Sequence, residues 1–219
     1  MKTVLFDLDG TVTDPGAGIT NSVMYALRKF GIEPPPREKL YCFIGPPLRA
    51  SFSKYFGLSE ADAEKAVGYY REYYRPTGIF ECAPYDGITD AFRLLCKSGV
   101  TVALATAKPE IFAGQIAEHF GFDKYLTFIS GASLDGKRED KAEIIKRALD
   151  NIPGSDARSS VMVGDRDYDV EGGKKLGLYT VGAAYGYGSR EELSAADAVA
   201  DSPYDTALLA LRLLDRTIN

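Results

Sequence analysis

The feature that most constrains this chain is a short apolar run, Val4-Leu5-Phe6, followed at once by Asp7-Leu8-Asp9-Gly10-Thr11. A β-branched and aromatic run of this kind predicts a buried strand, and Gly10 allows a sharp turn directly after it. The two aspartates repel one another and are costly to desolvate unless a cation lies between them. Because ligands bind at the carboxyl ends of strands in α/β sheets, we expect a binding site here. An Asx turn that closes a hairpin is the alternative interpretation.

The remaining pattern predicts an α/β protein with a doubly wound, parallel-sheet (Rossmann-like) core and an inserted α-helical domain. Apolar runs predict strands at residues 3–6, 100–105, 126–130, 160–163 and 179–181. Helical spacing predicts intervening helices at residues 88–97, 109–120, 141–149, 170–176 and 203–214. Residues 15–82 contain helical patterns and no convincing strand. We therefore assign residues 1–14 and 83–219 to the core domain and residues 15–82 to the inserted helical domain.

Composition excludes several classes of protein. The net charge is −5 and no basic block stands out, so we expect no nucleic-acid partner. No apolar stretch reaches membrane-spanning length, and the chain starts with a core strand rather than a signal peptide, so we expect no membrane association. Three scattered cysteines favour reduced thiols and a cytoplasmic location. The single histidine, His119, excludes a multi-histidine metal site.

Polar residues follow the core strands. Thr106-Ala107 comes after the second strand, where we expect a helix start that binds an anion, and Lys141 opens a later helix. Another strand ends in Gly164-Asp165, with Asp169 four residues beyond Asp165. Four acidic groups near one point need a hard cation, and an all-oxygen ligand set suits Mg²⁺. The lysine and the hydroxyl would bind an anion beside it, most suitably phosphate, and a carboxylate held against the metal can act as a nucleophile.

Four groups of residues resemble, in chain order, the four motifs of the haloacid dehalogenase superfamily. They are Asp7-Leu8-Asp9-Gly10-Thr11, Thr106, Lys141, and Gly164-Asp165 with Asp169. The insertion lies where that family carries its small helical cap. The resemblance implies that Asp7 is the nucleophile, Asp9 the general acid/base, and that Thr106 and Lys141 hold the transferring phosphoryl group. It also implies a Mg²⁺ site. The ligands implied are Asp7, the Asp9 backbone carbonyl and Asp165, with Asp169 in support.

The details resemble the phosphoglycolate phosphatase and small 5′-nucleotidase-like branch. The resemblance implies a Mg²⁺-dependent phosphatase that forms an aspartyl-phosphate and acts on a small phosphorylated metabolite. Phosphoglycolate fits best, and nucleoside monophosphates, as in a 5′-nucleotidase, are the main alternative. It is expected to be a monomer or a homodimer. We expect Gly10 and Ala107 to contribute to phosphate binding, and Gly45 and Arg49 of the cap to contact the substrate. Asp167 is given no role.

Three other interpretations remain open. Residues 131–138 nearly fit a phosphate-binding P-loop, although Arg138 replaces the hydroxyl residue and Asp135 puts a negative charge inside the loop. A phosphosugar mutase would use the same aspartates, so phosphate release without sugar isomerisation would distinguish it. A non-catalytic binding module is disfavoured because every expected catalytic position is filled.

Overall fold

The computed structural model describes residues 1–135 and 137–216 and divides the chain into two compact units. The larger unit combines Met1–Thr13 with the chain from Pro84 onward, and the inserted unit consists of Asp14–Ala83. Within the described ranges, no helix has both the length and the apolar character that a membrane crossing requires.

The larger unit contains a six-stranded parallel sheet. The strands of the described chain are β1 Thr3–Phe6, β2 Thr13–Asp14, β3 Ala83–Pro84, β4 Thr101–Pro109, β5 Leu126–Ala132, β6 Ser160–Gly164, β7 Tyr179–Ala183 and β8 Ala198–Ala200. The spatial order of the large sheet is β5-β4-β1-β6-β7-β8, while β2 and β3 form a separate pair. The chain thus winds outward from β1 in both directions, which confirms the predicted doubly wound, Rossmann-like fold.

Helices connect the strands of the larger unit and build most of the inserted unit. The inserted unit contains α1 Gly16–Lys29, α2 Leu48–Phe56 and α3 Glu60–Tyr74. The larger unit contains α4 Ile88–Lys97, α5 Glu110–His119, α6 Lys141–Asn151, α7 Asp167–Lys175 and α8 Pro203–Asp215. Helix α1 and the residue after it pack against α3 through aromatic pairs, with ring centroids 5.8 Å apart for Tyr25 and Tyr73 and 5.6 Å apart for Phe30 and Tyr69.

Strand β1 lies in the middle of the sheet, which explains its uninterrupted apolar sequence. Phe6 pairs in register with Leu104 of β4 on one side and Val163 of β6 on the other. The Asp7 N–H continues this ladder by donating to the Val163 carbonyl at 2.8 Å. Because the strands are parallel, the residues that follow β1, β4 and β6 meet at one edge of the sheet.

Apolar side chains from neighbouring helices fix the position of β1. Phe92 of α4 packs edge-on against Phe6, with ring centroids 5.2 Å apart. Ile144 and Ile145 of α6 belong to the buried cluster that contains Leu5 of β1. Successive side chains of a strand point to opposite faces, so Leu5 and Phe6 secure β1 from both sides.

Three local expectations were wrong. Strand β4 extends to Pro109 and α5 begins at Glu110, so Thr106-Ala107 lies in a strand and not at a helix start. The extension exists because β4 continues to pair with β5 as far as Pro109 and Ala132. Helix α7 begins at Asp167, three residues earlier than predicted. Strand β8 was not predicted, since three small residues give little periodicity.

Candidate active site

Asp7 and Lys141 form the centre of the site. Asp7 follows β1 and is 2% exposed, and Lys141 is the first residue of α6. The Asp140 carboxylate accepts a hydrogen bond from the Glu143 N–H at 3.0 Å, which caps α6 and fixes where the helix begins. Lys141 Nζ lies 2.7 Å from Asp7 Oδ1 and 2.6 Å from Asp169 Oδ1. One buried ammonium group therefore joins two motifs that are distant in sequence.

Asp7, Asp165 and Asp169 form a buried acidic cluster, in which one oxygen of each lies within 4.8 Å of the others. The pKa of Asp165 is raised to about 8, mainly because burial penalises the charged form and also because Asp169 and Asp7 repel it. Burial also raises the pKa of Asp169 to about 7, although the Lys141 ammonium opposes this shift. Carboxyl groups held this closely need positive charge to remain ionised together.

Specific hydrogen bonds hold the Asp165 carboxylate in place. The Thr11 hydroxyl donates to Oδ1 at 3.2 Å, and the Tyr187 N–H donates to Oδ2 at 2.8 Å. Tyr187 belongs to the loop after β7, which the sequence analysis did not assign to the site. The Tyr185 hydroxyl of the same loop donates to the Thr11 carbonyl at 2.9 Å. Three segments that are remote in sequence thus meet at one carboxylate.

Two glycines permit this close packing. Gly10 has φ +86°, and a Cβ atom there would lie 2.3 Å from Asp165 Oδ2. A Cβ atom on Gly186 would lie 2.3 Å from the Gly10 carbonyl oxygen and 2.4 Å from Asp165 Cβ. These distances are too short for any side chain, so the turn after Asp9 and the loop after β7 meet backbone to backbone around Asp165.

Asp9 forms a second buried ion pair with a residue that the sequence analysis did not assign to the site. Its Oδ2 atom lies 2.5 Å from the Nζ atom of Lys108 on β4. The pKa of Asp9 is raised because burial outweighs the opposing effect of the Lys108 ammonium. Lys108 lies two residues after Thr106 in β4, but the sequence pattern predicted a helix start there, so no local signal pointed to this lysine.

The structure brings Thr106 to the same region as Asp9, although not at a helix start. Thr106 is 1% exposed, and its Oγ1 atom accepts a hydrogen bond from the Lys108 N–H at 3.2 Å. Ala107 lies between these two residues in β4 and is half-buried. The expected helix N-terminus is therefore not present at Thr106, and the side-chain donors of this strand segment are a hydroxyl and an ammonium group.

The other residues named in the sequence analysis have the following local contacts. Gly45 and Arg49 belong to the inserted unit, where Arg49 Nη2 pairs with Glu64 Oε2 at 2.6 Å and both side chains are about half exposed. Asp167 is exposed at the start of α7, and its carboxylate accepts a hydrogen bond from the Tyr168 N–H at 2.8 Å. Gly136 of the P-loop-like stretch lies outside the described residues. Beside it, the Asp135 carboxylate accepts a hydrogen bond from the Lys137 N–H at 3.2 Å.

The chemistry of the donor set fits a divalent metal ion. The cluster offers only carboxylate oxygens, its members are buried, and burial is the main reason that the pKa values of Asp165 and Asp169 are raised. Hard divalent cations prefer ligands of this kind. The Asp9 side chain is not part of the cluster, because it pairs with Lys108. If Asp9 contributes to a metal site, it therefore does so through its carbonyl oxygen, as the sequence resemblance implies.

Four features define the class of protein. They are the parallel α/β sheet, the buried aspartates after β1 and β6, the hydroxyl of Thr106 in β4 and the lysine at the start of α6. A family model described as haloacid dehalogenase-like hydrolase matches residues 4–183. The chain belongs to this family, as its four motifs predicted. The enzyme class predicted from them, a phosphoric monoester hydrolase, is confirmed.

Relatives agree with this assignment. A 5′-nucleotidase of Pseudomonas aeruginosa is 45% identical over 192 residues, which cover 88% of this chain and 86% of the relative. A phosphoglycolate phosphatase of Agrobacterium fabrum is 28% identical, with 84% and 80% covered. The crystal structure of a predicted phosphatase from Clostridium acetobutylicum superimposes with a TM-score of 0.92 at 41% identity, covering 96% of this chain and 98% of that one.

Proposed function

We propose that this protein is a Mg²⁺-dependent phosphatase that hydrolyses a small soluble phosphomonoester through an aspartyl-phosphate on Asp7. The observation that carries the proposal is the position of Asp7. Its carboxylate lies within the buried cluster with Asp165 and Asp169, and Lys141 Nζ lies 2.7 Å from it. A carboxylate held between an acidic metal site and a lysine is suited to attack a phosphoryl group.

Asp7, Asp165 and the Asp9 carbonyl would hold Mg²⁺, with Asp169 in support. When bound, the cation would neutralise negative charge on the phosphoryl oxygens, which lowers the cost of attack by an anionic nucleophile. The protein's own donors add to this effect. The Thr106 hydroxyl, the Lys141 ammonium and the Ala107 N–H would bind the transferring phosphoryl group. The Gly10 N–H is already engaged, since it donates to the Thr13 carbonyl at 2.8 Å.

The proposed reaction has two steps. In the first, an Asp7 carboxylate oxygen attacks phosphorus, the bond from phosphorus to the leaving oxygen breaks, and Asp9 donates a proton to that oxygen. In the second, Asp9 removes a proton from water, the water oxygen attacks phosphorus, and the bond to Asp7 breaks to release phosphate. Asp9 acts first as acid and then as base, and its raised pKa favours the protonated form that the first step requires.

Similarity to known enzymes supports two substrate classes. The sequence resemblance favours phosphoglycolate, with nucleoside 5′-monophosphates as the alternative. The relative named 5′-nucleotidase is 45% identical, whereas the phosphoglycolate phosphatase is 28% identical. We therefore propose nucleoside 5′-monophosphates as the first class to test and phosphoglycolate as the second.

The test is phosphate release from a panel of phosphomonoesters, with and without Mg²⁺. The panel contains nucleoside 5′-monophosphates, phosphoglycolate, a hexose phosphate and p-nitrophenyl phosphate. We expect release that requires Mg²⁺ and that Asp7→Asn abolishes while the variant remains folded. Sugar-phosphate isomerisation without release would indicate a mutase. ATP binding that survives Asp7→Asn, without any phosphatase activity, would instead support the P-loop interpretation.

A further inference from the structure

The ion pair between Lys108 and Asp9 has no role in the function proposed above. Lys108 Nζ lies 2.5 Å from Asp9 Oδ2, and the side chains are 4% and 10% exposed. The lysine comes from β4 and the aspartate from the turn after β1, 99 residues earlier. A buried pair of this kind loses hydration free energy and is weak evidence of a contribution to stability.

The two carboxylate oxygens of Asp9 have different environments. Oδ2 pairs with the Lys108 ammonium, whereas Oδ1 is buried and has no hydrogen-bond partner in the part of the chain that the structure describes. An unsatisfied buried oxygen costs free energy, and such atoms are uncommon in folded proteins. The ion pair therefore orients the carboxylate with one oxygen engaged and the other available to an incoming group.

The extended form of β4 gives Lys108 a second link to the site. Thr106 and Lys108 are both buried, in a stretch where the pairing of β4 with β5 is irregular. The Lys108 N–H also donates to Thr106 Oγ1 at 3.2 Å. The same residue thus contacts the proposed acid/base through its side chain and a proposed phosphate ligand through its backbone.

We propose that Lys108 is a positioning residue for the phosphatase reaction, and this inference rests on the proposed function. Its ammonium group holds Asp9 Oδ2 and so presents Oδ1 to the leaving oxygen in the first step and to water in the second. Lys108 acts through Asp9, and its loss therefore matters most when the leaving group needs a proton.

The experiment compares kcat/KM for two substrates. An alkyl phosphomonoester such as glycerol 3-phosphate needs protonation of its leaving oxygen, whereas p-nitrophenyl phosphate needs little. Lys108→Met should reduce kcat/KM about 100-fold for the alkyl ester and less than about 10-fold for p-nitrophenyl phosphate. Lys108→Arg keeps the charge and should recover part of the loss. Lys97→Met, which removes an exposed lysine of α4, is the matched control and should change neither value.

A double-mutant cycle tests whether Lys108 acts through Asp9. Asp9→Asn combined with Lys108→Met should be no slower on the alkyl ester than Asp9→Asn alone, because the positioned group is already lost. This double variant removes both charges, so it remains informative if Lys108→Met alone does not fold. Additive losses in the cycle, or equal losses on both substrates, would overturn the role of Lys108. If the wild-type protein releases phosphate from no ester, the proposed function fails instead.

Discussion

Lys141 and Asp7 are separated by 134 residues, yet Lys141 Nζ lies 2.7 Å from Asp7 Oδ1 in a fully enclosed environment. The same nitrogen lies 2.6 Å from Asp169 Oδ1. Burial lowers the pKa of Lys141, but Asp169 and Asp7 reverse this effect and leave the pKa raised, so the ammonium form is retained. One lysine therefore supplies the positive charge that allows two neighbouring carboxylates to share the site.

Replacement of Lys141 should affect both activity and stability. Lys141→Met leaves Asp7 and Asp169 without the ammonium group that they share. Removing one partner of a buried ion pair typically lowers the free energy of unfolding by about 3–5 kcal/mol. We expect phosphatase activity to fall at least about 100-fold and the thermal unfolding temperature to decrease. The matched control is Lys146→Met on the same helix, where an exposed lysine pairs with Asp150. Full activity in Lys141→Met would contradict the role of Lys141.

The stability of the metal-free protein should fall as the pH rises from about 4 to about 8. The folded-state pKa values of Asp165 and Asp169 are raised to about 8 and about 7, whereas the pKa of an aspartate in the unfolded chain is about 3.9. Between the unfolded-state pKa and the folded-state pKa of each carboxyl group, the folded protein binds more protons than the unfolded chain. Each group therefore lowers the free energy of unfolding as the pH rises from its unfolded-state pKa to its folded-state pKa.

The measurement is the midpoint of urea unfolding between pH 4 and pH 9, in EDTA and in Mg²⁺. Since metal binding requires deprotonated carboxylates, Mg²⁺ should stabilise the protein more at pH 8 than at pH 5. Asp165→Asn should make the pH dependence in EDTA shallower and remove most of the stabilisation by Mg²⁺. An identical pH dependence in this variant would show that Asp165 does not carry the effect.

Gly186→Ala should displace Asp165. The new Cβ atom would lie 2.3 Å from the Gly10 carbonyl oxygen and 2.4 Å from Asp165 Cβ, and overpacking of this kind costs about 1–3 kcal/mol. We expect a lower unfolding temperature and a higher Mg²⁺ concentration for half-maximal activity. Gly114→Ala, in an uncrowded position of α5, is the control and should be neutral or stabilising. Unchanged Mg²⁺ dependence in Gly186→Ala would contradict the steric argument.

The inserted unit is proposed to be a mobile cap that selects the substrate, and Arg49 is the residue to test. Arg49→Ala should lower kcat/KM for the best anionic substrate more than for p-nitrophenyl phosphate, because only the former offers a second anionic group. Glu64→Gln removes the ion-pair partner of Arg49 but keeps the guanidinium group. It should therefore leave the ratio of kcat/KM for the two substrates unchanged. Equal changes on both substrates in Arg49→Ala would exclude Arg49 from substrate binding.

The sequence predicted the sheet and most of the site because the relevant signals are local. Asp7 and Asp9 follow a buried strand directly, and Asp165 and Asp169 follow another. Once the strands are taken as parallel, their ends must meet at one edge, so the acidic cluster could be anticipated from the order of motifs alone.

Other features depend on tertiary contacts and could not be read from local patterns. Thr106 and Lys108 lie in a strand because β4 continues to pair with β5, whereas Pro109 had suggested an adjacent helix start. The contribution of Tyr187 and Gly186 arises from a loop that reaches Asp165 across the fold. Nothing in the composition of that loop distinguishes it from an ordinary turn.

The central claim is that Asp7 carries the phosphoryl group, and chemical trapping tests it most directly. The protein is mixed with Mg²⁺ and its best substrate, quenched in acid during turnover, and reduced with borohydride, which converts an acyl phosphate of aspartate to homoserine. Peptide mass spectrometry should find homoserine at position 7, and none in Asp7→Asn or without substrate. Homoserine at another aspartate, or its absence from position 7 in an enzyme that is turning over, would contradict the mechanism.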